Sequence, residues 1–169
     1  ERRQTVNIMG TMSKEVMLDF GVPQGSVLGP ILFTLYTMPI GQIAHTHELE
    51  AHFYADDTQL YLTFNPTAGD EEVAVERVEA CLEDIREWML HNMLKLNDAK
   101  TEFLIIATPS ALKKVKTQHI HIGEAQIIPS EGALNIGVHF DRNMNLKKHV
   151  SNICQNAYFQ LHNIASVRG

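Results

Sequence analysis

Two runs in which apolar residues alternate with polar ones, Leu49, Ala51, Phe53 and then Leu60, Leu62, Phe64, flank the segment Tyr54-Ala55-Asp56-Asp57-Thr58. Period-two alternation on both sides of a short polar stretch specifies a β-hairpin, so this segment fixes two strands and a turn together. The turn carries two adjacent carboxylates. Aspartate is common in turns because its side chain bonds nearby backbone, and the dipeptide alone reads first as a solvated turn. A pair of carboxylates is also what a divalent cation such as Mg²⁺ takes as hard oxygen ligands, with water and phosphate oxygens completing its shell. Context adds weight to the second reading: about thirty residues upstream lies Gly21-Val22-Pro23-Gln24-Gly25-Ser26, a glycine-bracketed turn that leads into an apolar helical run.

The remaining chain supplies a layered framework. Val6, Ile8, Val16, Leu18 and Phe20 alternate on either side of Gly10-Thr11-Met12-Ser13 and predict an opening hairpin. Ser26 is the expected N-cap of a helix over Val27 to Ile40, with Pro30 tolerated in its first turn. Asp70, Glu71 and Glu72 open a second helix along Val73, Val78, Leu82, Ile85 and Met89, at the end where the dipole favours negative charge. Asn92 is its expected end, and Trp88, Met89 and Met93 are expected in the core. A buried strand is predicted over Thr101 to Ala107, a hairpin turned at Gly123-Glu124, and a single strand over Ala133 to Phe140. From Asn145 onward, Leu146, Val150, Ile153, Ala157, Leu161 and Ile164 step by three or four and predict a closing amphipathic helix. The mixed order of strands and helices implies an α+β fold built on one antiparallel sheet with packed helices.

Charge and composition exclude several classes. The chain is 169 residues with 44% hydrophobic content, enough for one core. A net charge of −6 is the wrong sign for a stand-alone nucleic-acid binder. Cys81 and Cys154 lie far apart within helical patterns, which argues against a disulfide framework and for a reducing, intracellular setting, nuclear or cytoplasmic. No apolar run reaches membrane-spanning length, so no membrane partner is expected, and Glu1-Arg2-Arg3-Gln4 is not followed by a signal-peptide core. His45 with His47 and His119 with His121 are paired at two-residue spacing, but without a converging Cys or acid they do not read as zinc ligands. Lys113, Lys114, Lys116, Lys147 and Lys148 read either as solvated lysines or as contacts to a nucleic-acid backbone. The start in mid-pattern, without methionine, suggests that the frame begins further upstream.

Four segments, taken in order, resemble the reverse transcriptases of the non-LTR (LINE-type) retrotransposon family. GVPQGSVLGPILF (residues 21–33) is similar to that family's substrate-positioning motif and FYADDTQLYL (53–62) to its catalytic hairpin. WMLHNMLKLNDAKTEFLI (88–105) is similar to its following helix and lysine-bearing strand, and NIGVHFDRNMNLKKHV (135–150) to its primer-side element leading to the thumb. The resemblance implies a partial polymerase palm over residues 1–140 and the start of a helical thumb over 141–169. It implies two-metal nucleotidyl transfer, with Mg²⁺ or alternatively Mn²⁺ as cofactor, and an RNA template, a DNA primer and a deoxynucleoside triphosphate as partners.

By the same resemblance Asp56 and Asp57 are the metal-binding and catalytic carboxylates, and Lys100 reaches the triphosphate and protonates the leaving pyrophosphate. Tyr54 and Ala55, with Gly21, Pro23, Gln24 and Gly25, form the substrate-binding surface. Ile136, Gly137 and Val138 contact the primer. The family supplies a further catalytic aspartate from a strand well before the Gly-Val-Pro-Gln-Gly segment. Asp19 is too close to Gly21 to be that residue, so the upstream palm and fingers are expected partners of this sequence and the chain alone is expected not to polymerise. Two functions stay open: a piece of an active RNA-directed DNA polymerase, or a non-catalytic relic of a decayed element that binds nucleic acid or a protein. Upstream sequence discriminates them.

Overall fold

The computed structural model describes residues 2–18, 25–66 and 69–168. Its elements mix α and β, as the alternation of patterns required, but the strands do not merge into the single sheet expected. Among the described residues they form five separate two-stranded antiparallel sheets. Two of these make up the opening hairpin, in which β1 (Arg2–Gln4) pairs with β4 (Val16–Leu18) and β2 (Asn7–Ile8) with β3 (Thr11–Met12). The turn is Met9-Gly10, both at positive φ, rather than the expected Gly10 to Ser13. A two-residue turn of that hand matches the twist of its strands.

Helix α1 (Gly29–Thr46) begins three residues after Ser26, and its N-cap is Leu28 with no side-chain cap bond. The expected Ser26 cap is therefore replaced by a backbone one, in which Gly29 N–H donates to the Ser26 carbonyl at 3.3 Å. Pro30 sits in the first turn, where its missing N–H costs nothing. The helix also runs through Pro39 and past the expected end at Ile40. Thr37, Ile40 and Ala44, at helical spacing, are its buried residues.

Helix α2 (Asp70–His91) follows the predicted bounds, with three acids in its first turn and Asn92 as C-cap. The Asn92 side-chain amide and backbone N–H both donate to the Trp88 carbonyl, at 2.8 and 3.0 Å. The helix is the common wall of two small cores. Cys81 and Ile85 meet Ile40, Ala44 and Leu49, backed by Leu60, Trp88 and Met89. Leu82 meets Ile120 and Ile122, backed by Phe103 and Ile127. Each fully buried aliphatic side chain here contributes about 1.5–3 kcal/mol of transfer free energy. Met93, expected in the core, is instead almost fully exposed just beyond the C-cap.

Strand β5 (Glu50–Tyr54) pairs with β6 (Asp57–Tyr61). Strand β7 (Ile120–Ile122) pairs with β8 (Ala125–Ile127) across the predicted Gly123-Glu124 turn. The strand expected over 101–107 reduces to one parallel bridge between Phe103 and Pro129. Ser130 N–H donates to the Phe103 carbonyl at 2.8 Å, but Pro129 has no N–H with which to extend the ladder. The single strand expected over 133–140 is a hairpin of β9 (Gly132–Asn135) and β10 (Val138–Asp141). Its turn residues Ile136 and Gly137 both have positive φ.

Helix α4 (Lys147–Val167), preceded by the four-residue α3 (Pro109–Leu112), forms where its apolar period predicted. Asp141 feeds it: its carboxylate accepts the backbone N–H groups of Asn143, Asn145 and Leu146 at 3.0, 3.1 and 2.7 Å. Although α4 packs against β10, it has no buried residue, and Val150, Ile153, Leu161 and Ile164 are exposed.

Candidate active-site hairpin

The two acids sit where one tight turn meets a strand. In the β5–β6 register Tyr54 faces Asp57, which leaves Ala55 and Asp56 as a two-residue turn. Ala55 has φ 54°, a left-handed conformation that glycine adopts more readily than alanine. A non-glycine residue held there is a local cost that the pairing of the flanking strands must offset. Tyr54, Ala55, Asp56 and Asp57 are all exposed.

The register sorts the hairpin into two faces, because residues directly opposite each other point the same way. Ala51 with Leu60 and Phe53 with Thr58 turn one way, and Ala51 and Leu60 pack on the first core. A Cβ placed on Gly41 would lie 3.3 Å from the Phe53 ring, so α1 approaches this face closely through that glycine. The other face carries Tyr54 with Asp57, His52 with Gln59, and Glu50 with Tyr61. On it the His52 and Tyr61 rings stack with centroids 5.3 Å apart, and the Tyr61 hydroxyl lies 3.0 Å from His52 Nε2. Neither residue was singled out in the sequence. The signal was their period-two spacing from Tyr54 and Asp57, which puts them on the acid-bearing face.

The other predicted residues are distributed around this hairpin. Gly21, Pro23 and Gln24, with Asp19, lie outside the described residues. Gly25 is described, at φ 83°, four residues before α1 begins. Lys100 ends a 3₁₀ turn (Asp98–Lys100) and is exposed, its backbone N–H donating to the Asn97 carbonyl at 3.0 Å. Among the described residues no ion pair joins Lys100 to either carboxylate. Ile136 and Gly137 are the β9–β10 turn, and Val138 is the first residue of β10.

A divalent cation would find hard carboxylate oxygens at Asp56 and Asp57. No three His, Cys, Asp or Glu side chains converge into a metal cluster among the described residues. The donor set therefore fits part of a cation site and calls for at least one further acid. His119 and His121 do lie together, ring centroids 4.8 Å apart, but His121 Nδ1 is engaged with Glu79 at 3.0 Å. No helix among the described residues is long and apolar enough to cross a membrane.

Comparison with known proteins shows the family of the chain. Residues 3–140 match the model of the reverse transcriptase (RNA-dependent DNA polymerase) family. The chain is 28% identical over 154 residues to a probable RNA-directed DNA polymerase from transposon X-element of Drosophila melanogaster, covering 90% of this chain and 16% of that protein. It is 30% identical over 106 residues to a probable RNA-directed DNA polymerase from transposon BS of the same organism, covering 60% of this chain and 11% of that protein. The chain thus spans a minor part of the length of both relatives. No solved structure gives a significant match. Since the family model matches residues 3–140, which take in the glycine-bracketed segment 21–26, the acid-tipped hairpin and the β9–β10 turn, this chain belongs to the reverse transcriptase family.

Proposed function

We propose that this chain is part of the polymerase domain of a retrotransposon RNA-directed DNA polymerase of the non-LTR type. In this reading residues 1–140 belong to the palm and 141–169 begin the thumb, and the protein works inside the cell. One observation carries the reading: two adjacent carboxylates stand at the tip of a two-residue hairpin turn whose other face is packed into the core. That arrangement presents both acids to solvent on a rigid support, as a site that must meet a bulky nucleic-acid substrate requires.

Asp56 and Asp57 would hold divalent cations, Mg²⁺ in the first instance, together with an acid from outside the described residues. When bound, such a pair of cations activates a primer 3′-hydroxyl and neutralises charge on the leaving oxygens of an in-line displacement. Tyr54 supports the primer end on the same face as Asp57. Ala55 leaves room beside it, and Gly21, Pro23, Gln24 and Gly25 border the incoming nucleotide and template. Lys100 transfers its Nζ proton to the departing pyrophosphate. Ile136, Gly137 and Val138 bear on the primer backbone. RNA template, DNA primer and deoxynucleoside triphosphate are the substrates of this reading.

The test is to map the 5′ end of the transcript that encodes the chain and to express the whole open frame. An upstream strand bearing an aspartate, with RNA-templated primer extension by the full product that Asp56→Asn abolishes, is the expected result. A full product that extends no primer, or extends it equally well as Asp56→Asn, overturns the reading in favour of a non-catalytic relic.

A further inference from the structure

Histidine and isoleucine alternate over His119-Ile120-His121-Ile122. Period two sends the isoleucines one way and the histidines the other. Ile120 and Ile122 are buried in the second core, so β7 is anchored by one face and carries the imidazoles on the opposite one. His121 is exposed and His119 half-buried. Their ring centroids stand 4.8 Å apart with the ring planes at 88°. Neither ring belongs to the acid-tipped hairpin, and neither has a role in the polymerase reading.

Glu79 of α2 supplies the acid that the histidine spacing lacked, across 42 residues of sequence. Its Oε1 accepts the His121 backbone N–H at 2.7 Å and meets His121 Nδ1 at 3.0 Å. A carboxylate accepts and does not donate, so Nδ1 carries the ring proton and the lone pair of the neutral imidazole is on Nε2. A carboxylate behind one ring nitrogen is the arrangement that orients a metal-ligating histidine and raises its basicity. The ring separation has the matching size. Zinc takes an imidazole nitrogen at about 2.0–2.1 Å, and two such rings, placed between a right angle and a tetrahedral angle about one ion, have centroids about 4.5–5.2 Å apart. Ligation fixes each ring only through its nitrogen, so the 88° between the planes is admissible.

We propose that His119 and His121 form a two-imidazole chelate for a divalent metal of the zinc and copper class, with Glu79 holding His121 from behind. Imidazole suits such ions, whereas Mg²⁺ takes carboxylate and water oxygens. The site therefore differs in chemistry as well as in place from the Asp56–Asp57 pair. No third ligating side chain converges among the described residues, so water fills the other positions on the ion. Because Glu79 is on α2, a bound ion ties β7 to that helix. The inference stands whether or not the full frame polymerises.

The test is calorimetric titration of the 169-residue chain with zinc chloride, beside NMR of its histidine rings. The expected result is one ion per chain with half-saturation in about the micromolar range, and with the Nε2 signals of His119 and His121 moving most. His119→Gln and His121→Gln should each weaken binding at least about tenfold, and Glu79→Gln about tenfold, as loss of the carboxylate behind a ligand does. His45→Gln combined with His162→Gln removes two exposed histidines elsewhere and should change the affinity less than about twofold. The wild-type ring signals need no substitution, so they decide the site even where a variant unfolds. Movement of other rings in place of these two, equal weakening by the control pair, or no saturation below about 1 mM zinc overturns the site. Displacement of the zinc by about 10 mM Mg²⁺ overturns it too, as the mark of an oxygen-donor site.

Discussion

Glu71, in the first turn of α2, holds Thr117 by both its backbone and its side chain. The carboxylate accepts Thr117 N–H at 2.6 Å and the Thr117 hydroxyl through the same oxygen, and Lys116 N–H at 2.8 Å. A buried acid thus fastens the segment that leads into β7 across 46 residues of sequence. Burial pushes the carboxyl pKa up, but the Thr117 hydroxyl, the two N–H groups and the Lys116 charge outweigh it and hold the group below its ordinary value of 4.5. A lowered folded-state pKa means that the contribution is present in full above the ordinary value and is lost as pH falls below it. Glu71→Ala should cost about 1–3 kcal/mol at neutral pH, because three donors lose a charged acceptor. Urea unfolding of wild type and variant at pH 7 and at pH 3.5 should show the difference shrinking in acid. An undiminished difference would mean that packing, and not the carboxylate, carries the effect.

Gly132 opens β9 in a place where no side chain fits. A Cβ there would stand 2.6 Å from the Phe140 carbonyl oxygen, a backbone atom that cannot move aside without shifting β10. Gly132→Ala should destabilise the chain by about 1–3 kcal/mol, and the amide resonances of Phe140 and Asp141 should move most. Gly41→Ala meets the Phe53 ring at 3.3 Å, a side chain with room to give, and should cost less.

The two thiols should differ sharply in reactivity. Cys81 is fully buried between α1 and α2, and burial, helped by the Asp84 charge, pushes its pKa up to about 11. Cys154 lies exposed on α4. Iodoacetamide at pH 8 should label Cys154 within minutes and Cys81 only in denaturant, read by mass spectrometry of tryptic peptides. Equal labelling of both in the folded chain would rule out the packing of α1 on α2.

Magnesium titrated into the chain should move the amide signals of Ala55, Asp56 and Asp57 with half-saturation in about the millimolar range, since two carboxylates alone bind the ion weakly. Asp56→Asn should remove most of that response. A response centred elsewhere would detach the acid pair from cation binding.

The legible parts of this fold were those with a strong local period. The hairpin around Asp56 and Asp57, the bounds of α2 and the site of α4 were all readable, because alternation and the three-to-four step follow from which face must be buried. Turns were less so: Ile136-Gly137 splits a run that looked continuous, and glycine at 137 was the signal. Residues 101–107 mislead for a different reason, since their apolar content reflects the burial of Ile105 and the packing of Phe103, with no continuous partner strand to pair with. The Ser26 cap failed because a backbone turn between Ser26 and Gly29 did the capping. In the candidate site the acids were apparent from their turn. His52 and Tyr61 became apparent only when the register paired the strands.

Because Asp56 is the second residue of a two-residue turn, chain length and not side-chain chemistry fixes where the acids stand. Substitutions along β5 and β6 leave the reading frame of the pleat intact, so drift in sequence is tolerated as long as the count is kept. One inserted or deleted codon between Tyr54 and Asp57 that slips the pairing by one residue would turn Asp57 to the core side and send an apolar neighbour outward. The hairpin is thus forgiving of spelling and intolerant of a change in length, and decayed copies of such a frame should lose this site first through single-codon indels.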